Sequence, residues 1–286
     1  LTPNQQISLL FVLVFGTLLL ASLVGLLLSL RERDRSDAWW QGLRRYREGV
    51  RRSWVMAAVF WVGWASGPTG GLWLFGFGSL LTLREFISLT PTHRSDHKTL
   101  VLSFFAILPA QYWLLGAGEF DLFSVFIPVY VFLAIPALSS LGNDPQRFLA
   151  RNAALQWGIM VCVFGLSHVP ALLQLRFAGH AGREAFLVFF LVAVVQTCMV
   201  VQHVAGRWMA RPPSLPNISL SFHWRSALVG VLGGGLLGAL LAGVTPFKPG
   251  QALAMALVAC AAGTLGHLVM KAIKRDRGVP NWGNQG

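Results

Sequence analysis

Four basic residues and one acidic residue lie within seven positions near the end of the chain: Lys271, Lys274, Arg275, Asp276 and Arg277. On a helix, residues three and four positions apart are neighbours, so Lys271, Lys274 and Arg275 share one face. Three cations on one face repel one another unless an anion joins them, and phosphate from a lipid headgroup or a nucleotide is well suited to that role. The alternative is that they only mark the cytoplasmic end of a transmembrane helix, as basic residues commonly do.

The basic cluster follows an apolar, small-residue helix predicted over 251–270. The whole chain of 286 residues is 55% hydrophobic and only 12% charged, with a mean hydropathy of +0.59. Several apolar runs are long enough to cross a bilayer as helices. The sequence therefore predicts an all-α, polytopic transmembrane helical bundle and argues against a soluble core or a barrel.

Nine spans are predicted. The first covers 7–30. Two shorter runs, 54–65 and 72–86, flank the segment 66–71, and we favour two spans joined by a tight turn over a re-entrant pair. The other six spans cover 99–116, 122–141, 153–175, 184–204, 226–244 and 251–270. Four prolines lie inside predicted spans, where kinks are expected: Pro109, Pro128, Pro136 and Pro170.

The basic residues alternate between loops in a way that predicts topology. Of 23 Lys and Arg residues, 20 lie in 31–52, 84–98, 143–152, 205–225 and 271–286. This bias places the N-terminus outside and the C-terminus in the cytoplasm. It also explains the net charge of +12 by the membrane surface, so nucleic acid is not a predicted partner. The segment 31–52 is predicted to be an amphipathic helix on the membrane, within an N-terminal part, 1–83, that precedes a membrane domain, 84–286.

Three further groups of residues have structural interpretations. The glycine-rich run 230–238 lacks the Gly-Lys-Ser/Thr of a phosphate loop, and small residues in a span normally allow close helix packing. His168, His203 and His267 fall in or at the ends of spans, and we interpret them as bonded to backbone carbonyls unless they converge in space. The cysteines are interpreted as buried apolar residues: Cys162, Cys198 and Cys260.

From about Arg84 onward the chain resembles the phosphatidate cytidylyltransferases, or CDP-diacylglycerol synthases. The local matches are Leu83-Arg84-Glu85-Phe86, Gln156-Trp157-Gly158, Gln202-x-x-x-Gly206 and Ala272-Ile273-Lys274-Arg275-Asp276-x-Gly278-Val279. The last string coincides with the start of the family signature. The resemblance implies a membrane enzyme whose helices surround a polar cavity open to the cytoplasm, in the inner membrane of a bacterium. Its substrates would be CTP and phosphatidic acid, its products CDP-diacylglycerol and pyrophosphate, and its cofactor Mg²⁺.

The resemblance also assigns roles to residues. Lys274 and Arg275 would clamp phosphates together with Lys271, and Arg207 and Arg225 would help from the neighbouring cytoplasmic loop. Asp276 is the candidate metal ligand. Association with another copy or with a different protein is left open by the sequence.

The signature departs from the family pattern where oxygen ligands are expected. Gly266-His267 occupies the position of the family's Gly-Asp, Lys271 that of a serine, and Cys198-Met199 that of Asn-Asp. Further departures are Val229-Gly230 for Glu-Gly and Pro280-Asn281 for Lys-Asp, and the printed chain reaches Gly286 before the family's His-Gly-Gly and Asp-Arg elements. Divalent cations need anionic oxygen ligands. Two hypotheses follow: an active cytidylyltransferase, or an inactive relative that binds lipid phosphate as a partner or regulatory subunit. A small transporter is a third, supported only by the proline-containing spans.

Overall fold

In the computed structural model of the chain, the structure describes residues 66–90, 93–175, 177, 184–209, 213–219 and 222–278, with scattered positions between 16 and 62; the side chains of residues 68, 185, 207 and 244 are excepted. The described residues are helical, apart from loops and one isolated bridge between Leu215 and Ser219. The chain divides into two compact units, Leu1–Leu74 and Phe75–Gly286. In the first, the Trp54 indole Nε1 donates a hydrogen bond of 2.9 Å to Ser22 Oγ. The predicted division at residue 83 stays a prediction.

Seven long helices follow one another from residue 67. Their bounds are α1 Gly67–Ser88, α2 Arg94–Ala117, α3 Phe120–Ser140, α4 Phe148–Leu172, α5 Ala185–Met209, α6 Trp224–Leu240 and α7 Pro249–Arg277. Within the described residues, six helices, α2 to α7, are long and apolar enough to cross a membrane. The all-helical prediction is confirmed for the described residues. The count of nine spans and the orientation of the termini stay predictions. The helix α1, which covers the predicted span 72–86, is not among the six, and the spans 7–30 and 54–65 and the segment 31–52 fall mostly outside those residues.

The tight turn predicted over 66–71 is wrong for most of its length. Gly67 has φ +69°, and the helix α1 continues from there through the glycine-rich segment to Ser88. A proline at the first turn of a helix lacks only an N–H that has no helical partner, and its fixed φ suits the helix. Pro68 and the following glycines therefore belong to the first turns of α1.

Three of the spans contain a single turn of π-helix, at Ser103–Ile107 in α2, Phe126–Val131 in α3 and Met160–Gly165 in α4. Proline removes a backbone N–H and its ring displaces the carbonyl one turn earlier. A wider π turn accommodates that mismatch inside an apolar helix. The prolines that predicted irregular spans lie in these turns or within five residues after them: Pro109, Pro128, Pro136 and Pro170.

The glycine-rich helix α6 packs closely against α5 and α7. A Cβ built on Gly230 would lie 2.7 Å from the Cys198 carbonyl oxygen, and one on Gly234 would overlap Cys260 Sγ. Only residues without a side chain allow backbones to approach so closely. The structural interpretation of the glycine run is confirmed, and so is the burial of the three free cysteines. This packing fixes α7, and with it the basic cluster.

Candidate phosphate site at the basic end of the bundle

The ends of α1, α3, α5 and α7 and the starts of α2, α4 and α6 lie at one end of the bundle, because successive spans alternate in direction. We call this the basic end. Helix α7 runs seven residues past its predicted end at Met270, so the cluster is helical as the spacing analysis assumed. Gly278 ends the helix in the left-handed conformation, with its N–H on the Arg275 carbonyl at 3.2 Å. The cationic last turn also faces the negative end of the helix dipole, which stabilises it.

Lys271 contacts the loop between α5 and α6. Its Nζ donates a hydrogen bond of 2.9 Å to Ser219 Oγ, and Ser219 is only 3% exposed. The Ser219 N–H bonds to the Leu215 carbonyl at 2.8 Å. Leu215 in turn packs on a cluster of Phe222, Ala227 and Leu268, which seats the loop on α7. In the sequence this loop is recognisable only by its basic residues, and no local signal connects Ser219 with a lysine 52 positions away.

The other predicted cations differ in exposure. Lys274 is half-buried and Arg275 is exposed, on the same terminal turns of α7 as Lys271. Arg225 is exposed at the second position of α6. Arg207 belongs to α5, but its side chain lies outside the described residues. The structure thus brings Lys271, Lys274 and Arg275 together on one helix end, while their assignment to phosphate stays a prediction.

Asp276 lies next to a cavity of about 280 Å³ at the basic end, walled by the end of α1, the start of α4 and the end of α7. Its side chain is 75% exposed, and Oδ2 is 3.5 Å from Arg277 Nε. One exposed carboxylate beside a guanidinium does not make a site for Mg²⁺, which needs several oxygen ligands. In the part of the chain that the structure describes, no three His, Cys, Asp or Glu side chains are grouped to hold a metal ion. The described donor set therefore does not fit the predicted metal.

Among the histidines, His168 matches its interpretation. Its Nδ1 lies 2.7 Å from the Phe164 carbonyl oxygen, and its ring packs beside those of Phe123 and Phe164 at centroid distances of 5.0 and 4.5 Å. An imidazole that contacts the backbone carbonyl one turn earlier has a structural role.

A buried ion pair at the basic end was missed by the sequence analysis. Arg151 is 5% exposed and Asp96 6% exposed, and Arg151 Nε lies 3.2 Å from Asp96 Oδ2. Arg151 Nη1 donates to Asp144 Oδ2 at 2.8 Å and to the Gln146 carbonyl at 2.6 Å. These contacts join the start of α4 to the start of α2 and to the α3–α4 loop. An arginine in the first turn of an apolar helix was the available signal, since such a charge needs a partner.

Asp144 makes several polar contacts in this group of residues. Its carboxylate accepts hydrogen bonds from the Gln146 N–H at 3.0 Å and from Ser95 Oγ at 2.9 Å, and His93 Nδ1 lies 3.3 Å away. The Gln146 N–H, the Ser95 hydroxyl and Arg151 stabilise the ionised form and lower the pKa of Asp144 to about 2. Asp144 therefore stays charged at neutral pH and holds the α3–α4 loop to the start of α2.

The described helices define the class of the protein: an integral membrane protein built from apolar helices. A sequence profile of the cytidylyltransferase family matches residues 48–285. The chain is also 32% identical over 283 residues, covering 94% of this chain and 87% of the relative, to YnbB of Escherichia coli strain K12, which is described as uncharacterized. No solved structure matches the chain. The chain belongs to the cytidylyltransferase family.

Proposed function

We propose that the protein acts in phospholipid biosynthesis as a CTP:phosphatidate cytidylyltransferase of the bacterial inner membrane. A phosphate oxygen of phosphatidic acid attacks the α-phosphorus of CTP, the bond to the β-phosphate breaks, and pyrophosphate leaves. CDP-diacylglycerol remains in the membrane. Family membership over 48–285 supports this reaction, and the cationic end of α7 is the observation that carries it.

The roles of the residues follow from their charge. Lys274 and Arg275 bind the phosphate oxygens of CTP and of the lipid and neutralise the repulsion between them. Lys271 assists from the same helix face, and Ser219 holds its ammonium group in place. Arg207 and Arg225 add positive charge from α5 and α6. The concentration of basic residues at this end supports a cytoplasmic orientation, where CTP is available.

A second candidate function is favoured by the environment of Asp276. The described residues supply no set of carboxylates for a divalent cation near α7, and Asp276 is beside Arg277. A protein of this construction binds lipid phosphate through its cations but transfers no cytidylyl group. It would then act as a membrane partner or regulatory subunit.

One assay separates the two candidates. Purified protein is incubated in mixed micelles with phosphatidic acid, Mg²⁺ and CTP labelled at the α-phosphate, and labelled lipid is counted. Turnover that falls at least about 100-fold in Lys274→Ala, the size expected for loss of a charged contact in the transition state, supports the enzyme. Lys248→Ala, at the opposite and exposed end of α7, is the matched control. No turnover with retained binding of phosphatidic acid supports the second candidate, and neither activity contradicts both.

A further inference from the structure

The cavity at the basic end is a groove whose polar lining residues, Thr90, Asp276 and Arg277, all lie at one end, whereas its inner lining is apolar. Thr90, two residues past the end of α1, and Arg277, the last residue of α7, lie at its mouth. Trp157 is nine residues into α4, and Val269 is eight residues before the end of α7. With a rise of 1.5 Å per residue, these inner residues lie about 12 Å deeper. The groove therefore runs from a polar mouth to an apolar inner end.

The inner end of the groove is open rather than enclosed. The side chains of Trp157 and Val269 remain 43% and 38% exposed. Both belong to helices that are long and apolar enough to span the membrane. Exposed apolar surface on such helices faces hydrocarbon, and the ends of spans lie at the boundary where lipid phosphates are found. An amphiphile in one leaflet would thus meet the groove with its head at the mouth and its chain at the inner end.

Arg277 is the group at the mouth that suits a phosphate. The Arg277 side chain is 29% exposed, whereas that of Asp276, which also lines the mouth, is 75% exposed to solvent. The 3.5 Å between Arg277 Nε and Asp276 Oδ2 is too long for a strong hydrogen bond. A guanidinium carries five N–H donors and binds phosphate oxygens in pairs. Arg277 therefore has donors for a phosphate at the level of the lipid headgroups.

We propose that this groove binds one anionic glycerophospholipid, with its phosphate on Arg277 and part of one acyl chain along Ala154, Trp157 and Val269. The groove lies on a different face of α7 from Lys271, which contacts the α5–α6 loop. The lipid class follows from the proposed function, but binding in the groove does not depend on cytidylyl transfer. The groove places a lipid phosphate on the same helix end as Lys274.

The first experiment fills the groove. Wild-type protein, Ala154→Phe and Ala153→Phe are purified in detergent, dioleoyl phosphatidic acid is added, and retained lipid is counted by native mass spectrometry. Ala154 lines the groove, whereas Ala153 is exposed on the same helix and does not. Displacing two or three buried methylenes should weaken retention about tenfold or more in Ala154→Phe. Ala153→Phe should match wild type.

A second measurement covers the case in which the larger side chain prevents folding. Ala154→Cys is a small change, and the three native cysteines are buried, so a maleimide labels the new thiol selectively. Dioleoyl phosphatidic acid should slow this labelling at least fivefold, and inorganic phosphate should not. Labelling of Ala153→Cys should be unchanged by either. Equal labelling of both variants with and without lipid would overturn the proposal.

The headgroup contact is tested with Arg277→Gln, and Lys248→Gln at the other end of α7 is the control. Wild type and Lys248→Gln should retain phosphatidic acid in preference to dioleoyl phosphatidylcholine, and Arg277→Gln should lose that preference. Equal loss of lipid in Ala154→Phe and Ala153→Phe, or unchanged retention in both, refutes the groove. Retention without turnover leaves the groove supported and refutes only the enzyme. Turnover together with lipid retention that Ala154→Phe does not change supports the enzyme and refutes the groove.

Discussion

Replacing Arg151 with methionine should destabilise the protein strongly. Methionine keeps much of the length of arginine but removes the charge, which strands the buried carboxylate of Asp96 and breaks the contacts to Asp144 and the Gln146 carbonyl. Removing one partner of a buried ion pair costs about 3–5 kcal/mol because the other charge is left uncompensated. Surface substitutions cost about 0.5 kcal/mol or less. Arg147→Met, at the exposed start of the same helix, is therefore the matched control.

The three buried cysteines provide the assay, because a thiol-reactive dye fluoresces when unfolding exposes them. Unfolding free energies are measured in detergent for wild type, Arg151→Met and Arg147→Met, together with Asp96→Asn and the double variant. The double variant should be less destabilised than the sum of the two single changes, since neither charge is then stranded. If Arg151→Met differs from Arg147→Met by less than about 1 kcal/mol, the ion pair does not hold the starts of α2 and α4 together and the reasoning fails.

Three further outcomes are expected. The folded pKa of Asp144, about 2, lies below its usual value, so its contribution is fully present above about pH 4 and is lost as the pH falls towards 2; Asp144→Asn should flatten stability against pH over that window. Gly234→Ala forces a Cβ onto Cys260 Sγ and should cost about 1–3 kcal/mol in unfolding free energy, whereas Gly78→Ala, which meets open space, should cost less. Ser219→Ala removes the acceptor for Lys271 and should raise proteolysis of the α5–α6 loop, while Ser214→Ala, whose exposed hydroxyl contacts the Trp224 N–H, should raise it less.

Local features of the fold could be predicted because each is determined by residues that are close together in the sequence. Apolar runs fix the helices, the small residues from Gly230 to Gly238 fix close packing, and the prolines indicate irregular spans. The π turns themselves have no such signal, since hydropathy is the same for either hydrogen-bond pattern. The turn expected over 66–71 shows the same limit, because Gly and Pro occur both in turns and in the first turn of a helix.

The site could be predicted only where it is confined to one helix. The spacing of Lys271, Lys274 and Arg275 is enough to place them together on α7. The contact of Lys271 with Ser219 joins residues 52 positions apart, and the pair of Asp96 with Arg151 joins the starts of two helices, α2 and α4. Such contacts depend on how the helices pack. A single sequence gives the types of these residues but not their neighbours.

The central claim is that the cationic end of α7 binds lipid phosphate, and the affinity for phosphatidic acid tests it most directly. Affinity is measured for wild type, for Lys274→Gln/Arg275→Gln and for the control Lys248→Gln, at two salt concentrations. Loss of two charge-assisted contacts should weaken binding by about 100-fold or more, and the affinity of wild type should fall with salt. Equal affinity of the double variant and wild type, with no dependence on salt, would contradict the claim.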